Sequence, residues 1–504
     1  MTGVTHRLGQ RLGERLGERL ALGGGRHRKR WDAGALRAGR LVQFAAAFFA
    51  VMALRAWLFP SGREPVLWWE HALQLMSWFW LGALPAAAVA LLSLALPSAP
   101  RPADAGSPIS QLVCFRVVSR GRNADALADT VSAVRRAMAA RPMFPYCIEV
   151  VTDEQVALPA GPDLRAFVVP LDYTTPKHSL YKARALHYLS ENSPLPDAAW
   201  VFHCDEESQV TIGLVGGIRD AVVEEELRAA AGKTPRIGQG TIVYWRSLRK
   251  HPLLTLADSL RTGDDATRFR TQFRLGALFC GMHGSFILVR ADIEHTVSFD
   301  VGPEGSITED AWWAFAQAFF GREFRWVDGY LVEQSPEHWK DFAKQRRRWY
   351  SGLWKVVLYS PAPLVARAAL AMFLITWVVS ALGGIYTLVN LFTGLVTPVV
   401  PSVLGGFVFA WYVSSYVTGL WLSLRSMPTE LKPSAPVRAL LYVAQVVLLP
   451  VFGALESLGV FYAMVKPERG FHVIKKSGGT TGVDIPGQRP ALEDPERTPV
   501  APRG

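Results

Sequence analysis

Cysteine is nearly absent: Cys114, Cys147, Cys204 and Cys280 are the four in 504 residues. None falls in a C-x-x-C pair, and three lie in apolar, strand-like runs. That argues against a zinc site or a disulfide framework and for buried free thiols in a reducing compartment. Charge is scarce too, at 19% of residues against 50% hydrophobic. With 17 Trp and a mean hydropathy of +0.16, the composition fits a membrane protein with a sizeable soluble part. A net charge of +11 suits nucleic acid, anionic lipid or a phosphorylated substrate. The basic excess sits beside hydrophobic runs, above all in the first 40 residues, so it reads as membrane topology and nucleic acid is set aside.

What is present divides the chain by texture. Residues 1–40 form a basic arm, with Arg7, Arg11, Arg15 and Arg19 in step with Leu8, Leu12, Leu16 and Leu20. Its apolar region comes too late, and its basic region is too long, for a signal peptide. Apolar runs near 41–60 and 73–97 are each long enough to cross a bilayer of ~30 Å. The positive-inside rule places the arm in the cytoplasm and returns the chain there near Arg101. From 108 to 335, strand-like runs (111–118, 147–152, 166–170, 199–204) alternate with helical ones, including a helix from a Ser179 N-cap to 189. Such alternation predicts an α/β domain, a mainly parallel sheet with helices on both faces and ligands beyond the strand carboxyl ends. Residues 336–360 read as an amphipathic interface helix. Apolar runs resume at 366–391 and 402–424. A last run, 437–465, is interrupted by Pro450 and Glu456 and reads as a broken or re-entrant segment. Residues 466–504 form a cytoplasmic tail, its end polar and Gly/Pro-rich.

Four charged clusters fall where this sheet would present them. Asp153 follows the second strand, where a carboxylate can accept from a nucleobase N–H or simply make a turn. Asp205-Glu206-Glu207 follows the fourth strand; adjacent acids repel unless a cation is present, and Mg²⁺ or Mn²⁺ would bind Asp205 and Glu207 together with substrate phosphates. Thr308-Glu309-Asp310 precedes the helical run AWWAFAQAFF. Ser306 and Glu309 have capping-box spacing, which leaves Asp310 to act as a general base. In KQRRRWYSGLW (344–354), Gln345, Arg348 and Trp349 make Q-x-x-R-W; Arg pairs with a diphosphate and Trp stacks on a sugar.

The order of these clusters is more specific than any one of them: 52, 105 and 35 residues separate Asp153, Asp205, Asp310 and Gln345. The pattern resembles the membrane-bound branch of glycosyltransferase family 2. FRVVSRG (115–121), EVVTD (149–153), KARAL (182–186), DEES (205–208), MHGSF (282–286), SFDVGPEGSITED (298–310) and QRRRW (345–349) resemble the egghead-type β-1,4-mannosyltransferases, as does FHVIKK (471–476). The resemblance implies a GT-A-like domain flanked by transmembrane helices, in a multi-pass plasma-membrane protein with its catalytic domain cytoplasmic. It implies nucleotide contacts from Asp153 and Lys182, and a metal at Asp205 and Glu207. It makes Asp310 the base and puts Gln345, Arg348 and Trp349 at the diphosphate and acceptor, with His283 and Gly284 lining the acceptor site. It favours inverting transfer of mannose from GDP-mannose to a glycolipid or glycan. A processive polysaccharide synthase using a UDP-hexose is the alternative; a transporter or scaffold with a nucleotide-sugar module is another. Two departures stand out: the metal motif ends in Glu, and the first strand leads into SRGRN.

Overall fold

The structure, a computed structural model, describes residues 33–58, 62–95, 106–302 and 305–468. Most of the basic arm, the end of the tail and FHVIKK lie outside the described residues.

Residues 113–332 build an eight-stranded sheet. Its strands are β1 (Val113–Val118), β2 (Tyr146–Thr152), β3 (Leu164–Val168), β4 (Trp200–Asp205), β5 (Gln209–Val210), β6 (Ile237–Val243), β7 (Ile287–Arg290) and β8 (Phe324–Val332), in the order β3-β2-β1-β4-β7-β6-β8-β5. The first four are parallel, as is the β6–β8 pair, whereas β7 runs antiparallel to both neighbours and β5 antiparallel to β8. The sheet is thus mixed, since the chain reaches β7 by a helical detour that enters it from the opposite end.

Alternation along β1 sorts the two faces. Val113, Phe115 and Val117 pack with Leu127, Val131 and Val134 of helix Ala124–Ala140 and Leu214 and Ile218 of helix Ile212–Ala230. Cys114 and Val118 face the other way, with Ala185 and Leu189 of helix Tyr181–Asn192 and Trp313 and Phe315 of helix Glu309–Phe319. All four cysteines are buried and free. Arg116, fully buried on that second face, is neutralised by Glu149 at 2.9 Å and Glu294 at 2.7 Å. Trp312 and Trp313 are core residues.

The second core does not stop at the domain edge. It continues through Tyr350 and Val356 of helix Trp339–Tyr359 into Leu370, Leu374 and Val460 of the apolar helices. Among the described residues, three helices are long and apolar enough to cross a membrane: Trp68–Ser93, Leu364–Thr393 and Val399–Ser426. Leu41–Trp57 is a shorter apolar helix, and Ala435–Val447 with Leu449–Val465 is a pair bent by 55°. The bend falls at the Leu448–Pro450 junction, because Pro450 lacks the amide that would carry the first helix on. Helix Pro252–Asp264 of the α/β domain packs against Val399–Ser426 at glycine contacts. A Cβ on Gly419 would fall 1.8 Å from the Ser259 carbonyl oxygen, and one on Gly263 would fall 2.2 Å from that of Ser415.

Candidate active site

The carboxyl end of β4 sets the first charge. Asp205 is the last residue of that strand, and its Oδ1 accepts a bond from Lys182 Nζ. Lys182 also donates to the Gly284 carbonyl at 2.8 Å. Its helix begins at Tyr181, with Leu180 as N-cap one residue past the expected Ser179, and Leu180 makes no side-chain bond. The reason is tertiary. Asp300 accepts from the Thr175 hydroxyl (2.8 Å) and the Lys177 amide (2.8 Å), and the Ser179 amide turns to Thr175 Oγ1 (2.7 Å). This pins the loop and forces left-handed φ of 57° on His178 and 52° on Tyr181. Such backbone costs ~1–3 kcal/mol and gathers at functional sites.

Asp310 comes from the other side. It is the second residue of helix Glu309–Phe319, whose N-cap is Thr308; the expected Ser306–Glu309 capping box does not form, since Ser306 Oγ accepts from the Thr308 amide (3.2 Å). Asp310 Oδ1 accepts from the Ala311 amide at 2.7 Å. A Cβ built on Gly284 would lie 2.8 Å from Lys182 Nζ and 2.9 Å from Asp310 Oδ2. Gly284 is therefore the wall against which both the ammonium and the carboxylate rest.

Burial raises the pKa of Asp310 above the usual Asp value, although Lys182 and Arg348 oppose the shift. Burial, then the charge of Asp310, pushes Glu309 up to about 7. Burial would lower the Lys182 pKa, but Asp205, Glu309 and Asp310 more than offset this, and the ammonium is held.

The Q-x-x-R-W helix closes the site. Arg348 donates to the Ile307 carbonyl at 2.9 Å, and Gly352, one turn on, lets Thr308 pack against the helix. Gln345 Oε1 accepts from Arg346 at 2.7 Å. The Trp349 ring carries two guanidiniums, Arg261 at 4.6 Å and Arg346 at 4.5 Å. His283 pairs with Asp265 at 2.6 Å and stacks on Phe269. Asp265 lies in a π-helical turn, Asp265–Phe269, a form frequent at functional sites.

A cavity of about 360 Å³ joins most of these groups. It runs from Arg120, Lys182, Asp205 and Glu207 past His283, Gly284, Asp310, Gln345, Arg348 and Trp349 to Phe373, Trp377, Trp411 and Tyr412 of the apolar helices. Asp153 stands outside its lining, 3.8 Å from Arg184, and burial raises its pKa. Arg120, over the Tyr181 ring at 4.6 Å, stands at that end of the cavity.

Among the described residues, no three His, Cys, Asp or Glu side chains converge closely enough to hold a metal. Glu206, which also lines the cavity, accepts from the Ser119 hydroxyl. Asp205, with about a third of its side chain exposed, and Glu207 line the cavity. Two carboxylates with room for phosphate oxygens fit a hard cation that completes its shell on the substrate.

Sequence reasoning missed Arg261, Asp265, Glu333 and Arg346. Arg261 and Glu333 line the cavity; burial, then the charge of Asp205, pushes Glu333 up to about 7. The signals existed. Glu333 directly follows β8 as the acidic run follows β4. Asp258, Arg261, Asp265 and Arg268 repeat at helical spacing, but they stand among other polar residues such as Asp264 and Arg270 and so read as a solvated face.

Residues 200–425 match the family model "Glycosyl transferase family group 2". The chain is 32% identical over 377 residues to the beta-1,4-mannosyltransferase egh of Drosophila melanogaster, covering 74% of this chain and 79% of that protein. It is 34% identical over 273 residues to the beta-1,4-mannosyltransferase bre-3 of Caenorhabditis elegans, covering 53% and 58% respectively. Among solved structures, the mannosyltransferase PcManGT of Pyrobaculum calidifontis, in complex with GDP-Man and Mn²⁺, aligns with a TM-score of 0.42 and 12% identity over 79% of this chain and 100% of that one. With Asp205, Glu207, Asp310 and the Q-x-x-R-W helix at one cavity and a relative matched over most of its length, the chain belongs to glycosyltransferase family 2, with the egghead-type β-1,4-mannosyltransferases among its relatives, and is a glycosyltransferase.

Proposed function

We propose that this chain transfers mannose from GDP-mannose to a hydroxyl of a membrane-presented sugar or lipid, with inversion, at the face of the bilayer that its catalytic domain occupies. The observation that carries the reading is the placement of the Asp310 carboxylate across Gly284 from the Lys182–Asp205 pair. A base is needed on one side of the anomeric carbon and charge stabilisation on the other.

In this reading Asp310 takes the proton of the acceptor hydroxyl, and that oxygen attacks the anomeric carbon opposite the diphosphate. Lys182 and Arg348 offset the charge that builds on the leaving group. Asp153 and Arg120 frame the nucleotide. Asp205 and Glu207 would hold Mg²⁺ or Mn²⁺, which when bound supplies further positive charge to the diphosphate. The acceptor enters from the apolar helices, where Phe373, Trp377 and Trp411 line the cavity. The membrane segments offer little to a transporter, since Glu456, the charge interrupting the last apolar run, is bonded to Arg346 at 2.9 Å.

Nucleoside diphosphate release tests this. The protein in lipid is given GDP-mannose, UDP-glucose and other sugar nucleotides, each with Mg²⁺ or Mn²⁺ and a membrane lipid extract. Release of GDP from GDP-mannose alone, lost in Asp310→Asn and in EDTA, is expected. Release from a UDP-sugar instead moves the donor assignment, and release from none overturns the reading.

A further inference from the structure

We propose that Arg261 is a phosphate-binding residue of this cavity, a second guanidinium beside Arg348 that receives the oxyanion of a phosphoryl group. The inference rests on the transferase reading above. Arg261 belongs to helix Pro252–Asp264, outside Q-x-x-R-W and outside every motif that carried the family resemblance. It is half-buried and lines the cavity.

Its guanidinium lies over the Tyr244 ring at 4.5 Å and the Trp349 ring at 4.6 Å, and among the described residues it makes no hydrogen bond and no ion pair. That sets it apart from its neighbours. Arg346 is bonded to Asp258 (2.6 Å) and Glu456, Arg268 is paired with Asp264, and Arg348 donates to a carbonyl. The acids whose fields reach Arg261 are Asp258, Glu333 and Asp265, and each is engaged elsewhere. Asp258 serves Arg346, Glu333 accepts from Ser285, and Asp265 takes His283 and the Ile242 amide.

The five N–H donors of a guanidinium lie in its plane, so stacking on rings fixes the group while leaving its donor edge available. That edge opens on the cavity, and Arg348 and Arg261 lie within each other's field, which is costly while nothing negative stands between them. A tetrahedral oxyanion between them removes that cost, and the arginine fork matches phosphate geometry. Two sources present that chemistry here: the diphosphate of the donor, and the phosphate of a lipid-linked acceptor arriving along the apolar end of the cavity.

The test uses the full chain in lipid nanodiscs and calorimetric binding of three probes: GDP or UDP (whichever the wild type binds), the matching nucleoside, and a polyprenyl phosphate. Arg261→Gln is compared with Arg261→Lys, which keeps the charge and loses the fork. If the donor is the source, Arg261→Gln weakens the nucleoside diphosphate roughly tenfold or more, Arg261→Lys weakens it less, and the nucleoside is unchanged. If the acceptor is the source, the loss falls on the polyprenyl phosphate instead. Unchanged affinity for both phosphates, or an equal loss for nucleoside and diphosphate, overturns the proposal. Should Arg261→Gln fail to fold, the same comparison on Arg261→Lys decides it. A wild type that binds no nucleoside diphosphate counts against the transferase reading rather than against Arg261.

Discussion

Gly284 has no side chain to contribute, yet it sets the distance between the two charged groups the reaction is proposed to use. Gly284→Ala would place a methyl 2.8 Å from Lys182 Nζ and 2.9 Å from Asp310 Oδ2. Both are ends of flexible side chains, so the fold should tolerate the change while the site does not: turnover is expected to drop roughly tenfold or more, with melting temperature almost unmoved. Asp310→Asn should remove ~10²–10⁴-fold of the rate while nucleoside diphosphate binding, measured by calorimetry, is retained. The pH profile has a definite sign. The Asp310 pKa is raised, so activity is lost as pH falls through a value above the ordinary Asp range. Glu309, pushed up to about 7, is then still protonated, and its ionisation should give a second inflection near pH 7. Glu309→Gln mimics the protonated acid. It should keep the acidic limb and erase the inflection; a profile identical to wild type would show that Glu309 does not titrate there.

At the scale of elements, one arginine joins three helices. Arg346 on Trp339–Tyr359 bonds Asp258 of Pro252–Asp264 at 2.6 Å and Glu456 of the bent pair at 2.9 Å, while Gly459 makes room for its Cβ. Removing one partner of a buried ion cluster strands the others at a cost of ~3–5 kcal/mol, whereas neutralising both sides is far milder. Arg346→Met should therefore lower thermal stability sharply, and adding Glu456→Gln should recover part of the loss. If the double variant were as unstable as the single one, the cost would lie in lost packing over Phe342 and Trp349 rather than in charge. The Gly419 and Gly263 contacts act at the same seam, because each brings backbone to backbone where a side chain would hold the helices apart.

For the whole molecule, the loops tie the topology together. Arg63 pairs with the loop at 394–396, its amide donating to the Gly394 carbonyl (3.0 Å) and its carbonyl accepting from the Val396 amide (2.9 Å). The turn before Trp68–Ser93 and the turn after Leu364–Thr393 therefore share one end of the helix bundle. By the positive-inside reading, that end is extracytoplasmic and the loop with Arg425 and Lys432 is cytoplasmic. Thr397→Cys should be labelled by an impermeant maleimide from outside intact cells and Ser434→Cys only after permeabilisation, the native cysteines being buried. Labelling of both from one side would overturn that reading.

The sequence by itself determined the alternation of strands and helices, the three long apolar helices, the break at Pro450 and the acids at strand ends. These follow from local periodicity and from residues such as proline whose geometry is intrinsic. It did not reveal that Ser179 loses its cap to Asp300, or that no capping box forms at Ser306, since both depend on partners far along the chain. Nor did it reveal the reversed strand β7, or the helix Pro252–Asp264 that carries Arg261 to the cavity. Asp258, Arg261 and Asp265 look like an ordinary solvated helix face in sequence. Only the tertiary structure, by seating that helix against Val399–Ser426 and under the Q-x-x-R-W helix, turned the face inward and gave its charges partners or, for Arg261, a cavity.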